Sequence, residues 1–282
     1  MTESSPSDRE LAPGTFLGAY RIDGLLGAGG MGTVYKARQV HLQRVVALKV
    51  MKPALAADEE FCERFMREAR AGAMIDHPRV VRIHDADNRD GRLYQVFEFI
   101  PGGDLAQMLE KQGPLPAAEA LRLIAECADG LAAIHATGML HRDIKPQNIF
   151  LDAKGQAKLG DLGMARLADG GDQLTGTGAV MGTPAYMAPE QARGGLIDER
   201  ADLYALGATL YTLLTARKPF PGGNTLEVIA RVIADPTPDP RAVVPAVPGA
   251  VAALVARAMA KDPAKRIASA EELRDEAAKL QG

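Results

Sequence analysis

Within one short run, His141-Arg142-Asp143-Ile144-Lys145-Pro146-Gln147-Asn148 sets out a carboxylate, an ammonium and an amide. Phosphoryl transfer asks for those groups. A carboxylate accepts the proton of an acceptor hydroxyl, a lysine neutralises the phosphoryl group in flight, and an amide oxygen ligates Mg²⁺. With equal residue usage, His, Arg, Asp, Lys and Asn at these places would coincide in roughly one chain in ten thousand of this length. A polar loop after a helix is the competing explanation, and it accounts for polarity but not for the set.

Upstream, Leu26-Gly27-Ala28-Gly29-Gly30-Met31-Gly32-Thr33-Val34 contains G-x-G-x-x-G followed by Val. Glycines let backbone N–H groups approach phosphate oxygens where a Cβ would collide. A flexible hairpin turn accounts for them almost as well. A dinucleotide site would need a helix directly afterwards; a strand pattern follows instead, with Val34 and Lys36 on one face. Lys49 lies inside the apolar run Val45-Val46-Ala47-Leu48-Lys49-Val50-Met51 and must find an anion or reach water. Glu68 could be that anion, although Arg64 at i−4 offers it a surface pair instead.

These groups need a scaffold. Tyr20–Leu26, Thr33–Arg38 and Val45–Met51 read as strands, and in the last of these Val46, Leu48 and Val50 share the face opposite Val45, Ala47 and Lys49. A helix is expected over Asp58–Ile75, with Phe61, Phe65, Ala69 and Met74 on one side, then short strands near Val80–His84 and Leu93–Phe97. After Pro101-Gly102-Gly103 the pattern turns helical. Leu121, Ile124, Ala128, Leu131 and Ile134 mark an amphipathic helix ending near Gly138. Leu203, Leu206, Leu210, Leu213 and Leu214 mark a more buried one, and Val251–Met259 and Ala270–Leu280 close the chain.

Composition narrows the function classes. At 282 residues, 47% hydrophobic and 24% charged, the chain is ordinary globular material for one large domain or two lobes. A net charge of −3 gives no reason to expect nucleic-acid binding. Cys62 and Cys127 have no C-x-x-C or metal-ligand spacing, so two buried thiols in a reduced, cytoplasmic protein are expected. Met1–Gly14, rich in Ser, Pro, Asp and Glu, reads as a disordered lead-in and not a signal peptide. Leu203–Ala216 is too short to cross a bilayer.

Taken in order, the Gly-Gly-Met-Gly-Thr-Val-Tyr loop, the Val-Ala-Leu-Lys strand, the catalytic loop and Ala188-Pro189-Glu190 resemble the catalytic domain of bacterial eukaryotic-type (Hanks-type) serine/threonine protein kinases. The resemblance covers Thr15 to Leu280. It implies an α+β bilobal fold with an ATP cleft: a small antiparallel β-sheet lobe with one helix over residues 15–97, a hinge over 98–103 and a larger, mainly helical lobe over 104–282. It also implies transfer of the γ-phosphate of ATP to protein Ser/Thr hydroxyls, with Mg²⁺ or its substitute Mn²⁺. A pseudokinase-like nucleotide-binding scaffold is the alternative.

The resemblance assigns roles residue by residue. Asp143 is the catalytic base, Lys145 steadies the γ-phosphate, and Asn148 and Asp161 hold the metal. Lys49 binds the α- and β-phosphates and pairs with Glu68. The glycine loop Leu26–Val34 covers the phosphates. Val34, Ala47 and Phe150 sandwich adenine; Glu98, Phe99 and Ile100 meet its edge behind Phe97; Asp104 reaches the ribose. Asp202 holds the catalytic loop's backbone, and Glu190 pairs with Arg266. Thr183, in Gly182-Thr183-Pro184, bonds Asp143 and Lys145 and marks the Ser/Thr class. Thr175 and Thr177 match positions autophosphorylated in similar kinases; a phosphate there could pair with Arg142.

Two departures stand out. Asp161-Leu162-Gly163 has Leu where the family has Phe, and Gly72, one turn after Glu68, stands where the family packs an aliphatic side chain. The second weakens the helix by about 1 kcal/mol relative to Ala, so the helix carrying Glu68 is expected to need phosphorylation or a partner to hold it. Protein substrates and a homodimer through the small lobe are the implied partners, with no nucleic acid and no membrane segment in this chain. The chain could equally be the cytoplasmic domain of a longer membrane-anchored kinase.

Overall fold

The computed structural model describes residues 10–162 and 184–281, so Gly163, Thr175, Thr177 and Thr183 lie outside the described residues. The chain divides into two compact units. One holds the chain up to Asp76 together with Val81–Ile100; the other holds His77–Val80 and the chain from Pro101 onward.

The first unit is an antiparallel sheet of order β1-β2-β3-β4-β6-β5, built from β1 (Phe16–Leu17), β2 (Tyr20–Ala28), β3 (Gly32–Gln39), β4 (Arg44–Met51), β5 (Ile83–Arg89) and β6 (Arg92–Glu98). Alternation in β4 sorts its side chains as expected. Val46, Leu48 and Val50 enter a core with Tyr20, Ile22, Tyr35, Ala37, Tyr94 and Val96; each fully buried aliphatic side chain there contributes about 1.5–3 kcal/mol. A short helix α1 (Pro53–Ala56) leads to α2 (Glu59–Ala73), whose N-terminus is capped by the Asp58 side chain accepting from Phe61 N at 3.0 Å. Phe61, Phe65, Ala69 and Gly72 form its buried stripe.

Several expectations shift here. Met74 is 82% exposed, because α2 ends at Ala73 and Met74 is its C-cap. The strand expected at Val80–His84 starts instead at Ile83. Val80 makes a lone parallel bridge to Leu159 in the second unit, where Leu159 N also donates to Arg79 O at 2.8 Å. The lead-in expected to be disordered over residues 1–14 is engaged near its end: Leu11 N donates to the Tyr35 hydroxyl at 3.1 Å and Gly14 N to Ile22 O at 2.8 Å. Cys127 is buried but Cys62 is only partly so.

The second unit is mainly helical: α3 (Leu105–Gln112), α4 (Ala117–His135), α5 (Pro189–Ala192), α6 (Glu199–Thr215), α7 (Thr225–Ala234), α8 (Gly249–Ala258) and α9 (Ala270–Lys279), with one hairpin of β7 (Ile149–Leu151) and β8 (Ala157–Leu159). From Ala201 to Thr215, α6 is buried on every side. Its threonine hydroxyls are satisfied within the helix, Thr209, Thr212 and Thr215 each donating to the carbonyl four residues back at 2.8–2.9 Å. Around α6 and α4 pack α8 and α9. No described helix is long and apolar enough to cross a membrane.

Candidate active site

In the first unit, strand register assembles one face of the sheet. Val34 opposes Lys49, Lys36 opposes Ala47, and across β6 Ala47 opposes Phe97 and Lys49 opposes Gln95. Directly opposed residues share a face, so Val34, Ala47, Lys49 and Phe97 lie together. Lys49 is 8% exposed, a deep seat for an ammonium. Glu68 lies on α2 in the same unit and is half-buried.

The glycine segment is the irregular hairpin of β2 and β3. Its register slips between Ile22 and Gly24 and again between Leu25 and Gly27, and Gly29 N donates to Gly32 O at 2.8 Å across the tip. Such slips bend a strand and increase its twist. A Cβ on Gly32 would collide with the Val50 carbonyl, so that glycine is required by packing. Leu26 is exposed, as are Ala28, Gly29 and Gly30; Gly27, Met31 and Thr33 are half-buried. At the end of β6, Glu98 N donates to Arg82 O at 2.9 Å, and Phe99 lies under the Lys36 ammonium, 5.0 Å from ring centroid to nitrogen. Ile100 closes the unit.

The second unit carries the catalytic-loop residues in one hydrogen-bonded cluster. Lys145 Nζ reaches both Asp143 carboxylate oxygens, at 2.8 and 2.7 Å. Asn148 Nδ2 donates to the Asp143 carbonyl and to Asp143 Oδ2, each at 2.8 Å. The amide nitrogen is thereby committed, which leaves Asn148 Oδ1 as the atom that can ligate a cation. Gly160 N donates to Asn148 O at 2.8 Å, tying the residue before Asp161 to the loop. Asp161 itself has left-handed backbone, φ 58°, as does Arg142, φ 66°. A non-glycine residue holds that conformation at a cost of about 1–2 kcal/mol and needs outside support.

For Arg142 the support is visible. Asp202, 1% exposed at the start of α6, accepts from Arg142 N at 2.7 Å and from His141 N at 2.8 Å. The expected hold on the loop backbone is therefore present. So is the expected ion pair: Arg266 donates to both Glu190 oxygens at 2.6 and 2.7 Å, and also to Arg200 O and Ala260 O. One member was not anticipated. His135 Nε2 lies 2.9 Å from Asp202 Oδ2, and since an ionised carboxylate only accepts, that nitrogen carries the hydrogen. The available signal was a histidine four residues after Leu131 on an apolar helix face.

Phe150, half-buried in β7, is bridged to Asp104. The Asp104 carboxylate has a structural use, capping α3 by accepting from Gln107 N at 2.9 Å. Gly102 N donates to Leu151 O at 2.9 Å, and a Cβ on Gly102 would meet that carbonyl.

Chemically, the cluster offers a carboxylate with an ammonium against it and, beside them, an amide oxygen and a further carboxylate. These are hard oxygen donors that suit Mg²⁺, which takes one or two protein ligands and fills its octahedron with water and phosphate. No group of three or more His, Cys, Asp or Glu among the described residues forms a self-sufficient metal cage.

Comparison with known proteins gives a consistent answer. The family model of the protein kinase domain matches residues 20–277. The serine/threonine-protein kinase pkn3 of Myxococcus xanthus is 37% identical over 96% of this chain and 52% of its own length. For PrkC of Bacillus subtilis the values are 39% identity, 91% and 39%, and for PknL of Mycobacterium tuberculosis 40%, 89% and 63%. The chain thus spans between 39% and 63% of the length of these relatives. Among solved structures, the PknI kinase domain of M. tuberculosis superposes with a TM-score of 0.77 at 30% identity, covering 97% of this chain and 100% of that one.

Proposed function

Because the chain belongs to the protein kinase domain family, we propose that it moves the γ-phosphate of ATP onto Ser or Thr hydroxyls of proteins. The observation that carries this reading is the Asp143–Lys145–Asn148 cluster, in which a carboxylate, a cation and a metal-binding amide are joined by direct bonds. Asp143 orients the acceptor hydroxyl and takes its proton as the new O–P bond forms. The bond from the γ-phosphorus to the bridging oxygen breaks, and ADP leaves. Lys145, already within reach of the Asp143 oxygens, neutralises the phosphoryl oxygens during transfer. Asn148 Oδ1 and Asp161 would hold Mg²⁺, which would screen phosphate charge when bound, and Mn²⁺ would be held by the same oxygen donors.

Lys49 fixes the α- and β-phosphates and is steadied by Glu68. Leu26–Val34 cover the phosphates with backbone N–H groups. Val34, Ala47 and Phe150 enclose adenine, whose edge meets Glu98–Ile100 behind Phe97. Asp104, already a helix cap, can still offer its second oxygen to the ribose. Thr183 shapes the acceptor side and sets the preference for Ser/Thr.

Incubation with Mg²⁺ and labelled ATP tests this reading. Label should pass to an acceptor protein and be abolished in Asp143→Asn. Nucleotide binding without transfer in the wild type would instead make the chain a scaffold.

The same reading includes a switch. Gly72 leaves the Glu68 helix weakly held, and phosphorylation of Thr175 or Thr177, paired with Arg142, or association of two copies through the first unit, sets it. Thr175→Ala with Thr177→Ala should lower activity at least tenfold by a charge-assisted pairing worth about 1.5–3 kcal/mol; unchanged activity would remove the switch.

A further inference from the structure

Lys261 opens the segment Lys261-Asp262-Pro263-Ala264-Lys265-Arg266, yet it does not share the task of Arg266. Its side chain crosses the face of Phe220, with Nζ 4.1 Å from the ring centroid, and ends on the carbonyl of Val232 at 2.5 Å. Phe220 and Val232 are both buried. Val232 belongs to the last turn of α7, where backbone carbonyls lack helical partners. Arg231 O is taken by Asp235 N at 2.9 Å. Of the following carbonyls, Val232 O is taken by Lys261, and Ile233 O by Arg193 Nη2 at 3.3 Å from the end of α5. Two cations from outside the helix therefore close the negative end of α7.

The position of α7 has a consequence for the acceptor side. It packs against the 3₁₀ turn Pro184–Tyr186 and against α5. That turn follows Thr183 directly, so whatever fixes α7 also fixes the backing of the segment that meets an acceptor peptide. We propose that Lys261 is a positioning residue for the protein acceptor: by capping α7 it holds that helix against Pro184–Tyr186 and so sets acceptor affinity without touching ATP. This rests on the protein-kinase reading above.

The charge is kept there at a cost. Burial, helped by Arg193 and Arg266 and opposed by Asp235, pushes the Lys261 ammonium down to about 8. A cation held against its own desolvation is a poor stabiliser. Its removal trades that desolvation against one unpaired carbonyl at a helix end, so it should change global stability little while loosening α7, and that separates positioning from a merely structural role.

The test uses Lys261→Met, which keeps the stem, and Lys261→Arg, which keeps the charge. With a Ser/Thr acceptor peptide, Lys261→Met should raise the peptide KM about tenfold, with kcat and the KM for ATP within twofold and the melting temperature unchanged or higher. Lys261→Arg should restore most of the peptide KM. An unchanged peptide KM in folded Lys261→Met overturns the proposal. So does a fall in melting temperature with ATP and peptide affinities lost together. If Lys261→Met does not fold, it is a structural residue and the proposal fails. Should the wild type transfer no phosphate at all, the kinase reading fails separately. Hydrogen exchange of the α7 amides then decides Lys261: faster in Lys261→Met and restored in Lys261→Arg supports the cap, and no change refutes it.

Discussion

Asp202→Asn is the sharpest test of how the catalytic loop is held. The carboxylate is 1% exposed and serves three donors: Arg142 N at 2.7 Å on one oxygen, His141 N at 2.8 Å and His135 Nε2 at 2.9 Å on the other. An asparagine amide has one acceptor oxygen. Turned to serve His141 and His135, it presents its NH₂ to Arg142 N; turned the other way, it abandons two donors. At least one charge-assisted bond becomes a donor–donor clash, and the rest lose their charge. With about 1.5–3 kcal/mol for a bond to a charged group, we expect a loss of about 2–4 kcal/mol. At about 2–4 °C per kcal/mol for a domain of this size, the melting temperature should fall by roughly 4–16 °C. The bond at greatest risk supports Arg142, whose φ of 66° has no intrinsic preference. A relaxed Arg142 displaces Asp143, and a misplacement of about 1 Å costs about a hundredfold in rate. The assay is labelled-phosphate transfer at saturating ATP beside a thermal melt. We expect kcat down about a hundredfold with the KM for ATP within about twofold, since none of the three donors belongs to the glycine loop or Lys49. A kcat within threefold of wild type would refute the account of Asp202 as the support of the loop.

Two further predictions concern packing and pH. Gly207 in α6 faces α8 so closely that an added Cβ would lie 2.6 Å from Ala258 Cβ; Gly207→Ala should destabilise by about 1–3 kcal/mol in urea titration despite the better helix propensity of alanine, and Ala258→Gly should recover part of the loss. For Lys261, the folded state binds fewer protons than the unfolded one between about 8 and the ordinary lysine value near 10.4. Unfolding free energy should therefore rise with pH across that window in the wild type relative to Lys261→Met, with no difference in slope below pH 7. An equal slope in the two proteins would show that the ammonium is not desolvated.

What the sequence made legible was chemistry written in adjacent residues. Asp143, Lys145 and Asn148 are close in the chain, and the turn Pro146–Asn148 folds them back on one another, so neighbours in the sequence are also neighbours in space. The sheet was legible where alternation was strong, as in β4, and illegible in β5. Ile-His-Asp-Ala-Asp-Asn-Arg has few strand-forming residues, yet it lies at the sheet's edge, where pairing with β6 alone suffices and the Asp85 and Asp87 carboxylates accept from the hydroxyls of Tyr20 and Tyr94. Asp104 shows a different limit: one carboxylate can serve a ligand and a helix N-terminus, and only the structure reveals that Gln107 N already claims one oxygen.

Of the contacts between residues distant in sequence, those of Asp202 and of Arg266 were legible only through family resemblance and that of Lys261 was not legible at all, and their physics explains why. Asp202 and His141, Arg266 and Glu190, and Lys261 and Val232 meet because α6, α5 and α7 pack as they do, and no local spacing encodes those meetings. Yet the pairs divide by energetics. Arg266, its side chain wholly enclosed, has a bidentate carboxylate and three backbone carbonyls, so its charge is fully answered. Lys261 has one carbonyl and a ring face, and burial pulls its ammonium toward neutrality. The well-answered cation is the one whose loss should cost stability. The poorly answered one is better explained by where it holds α7, which is why acceptor affinity, and not a melting curve, is the measurement on which its role turns.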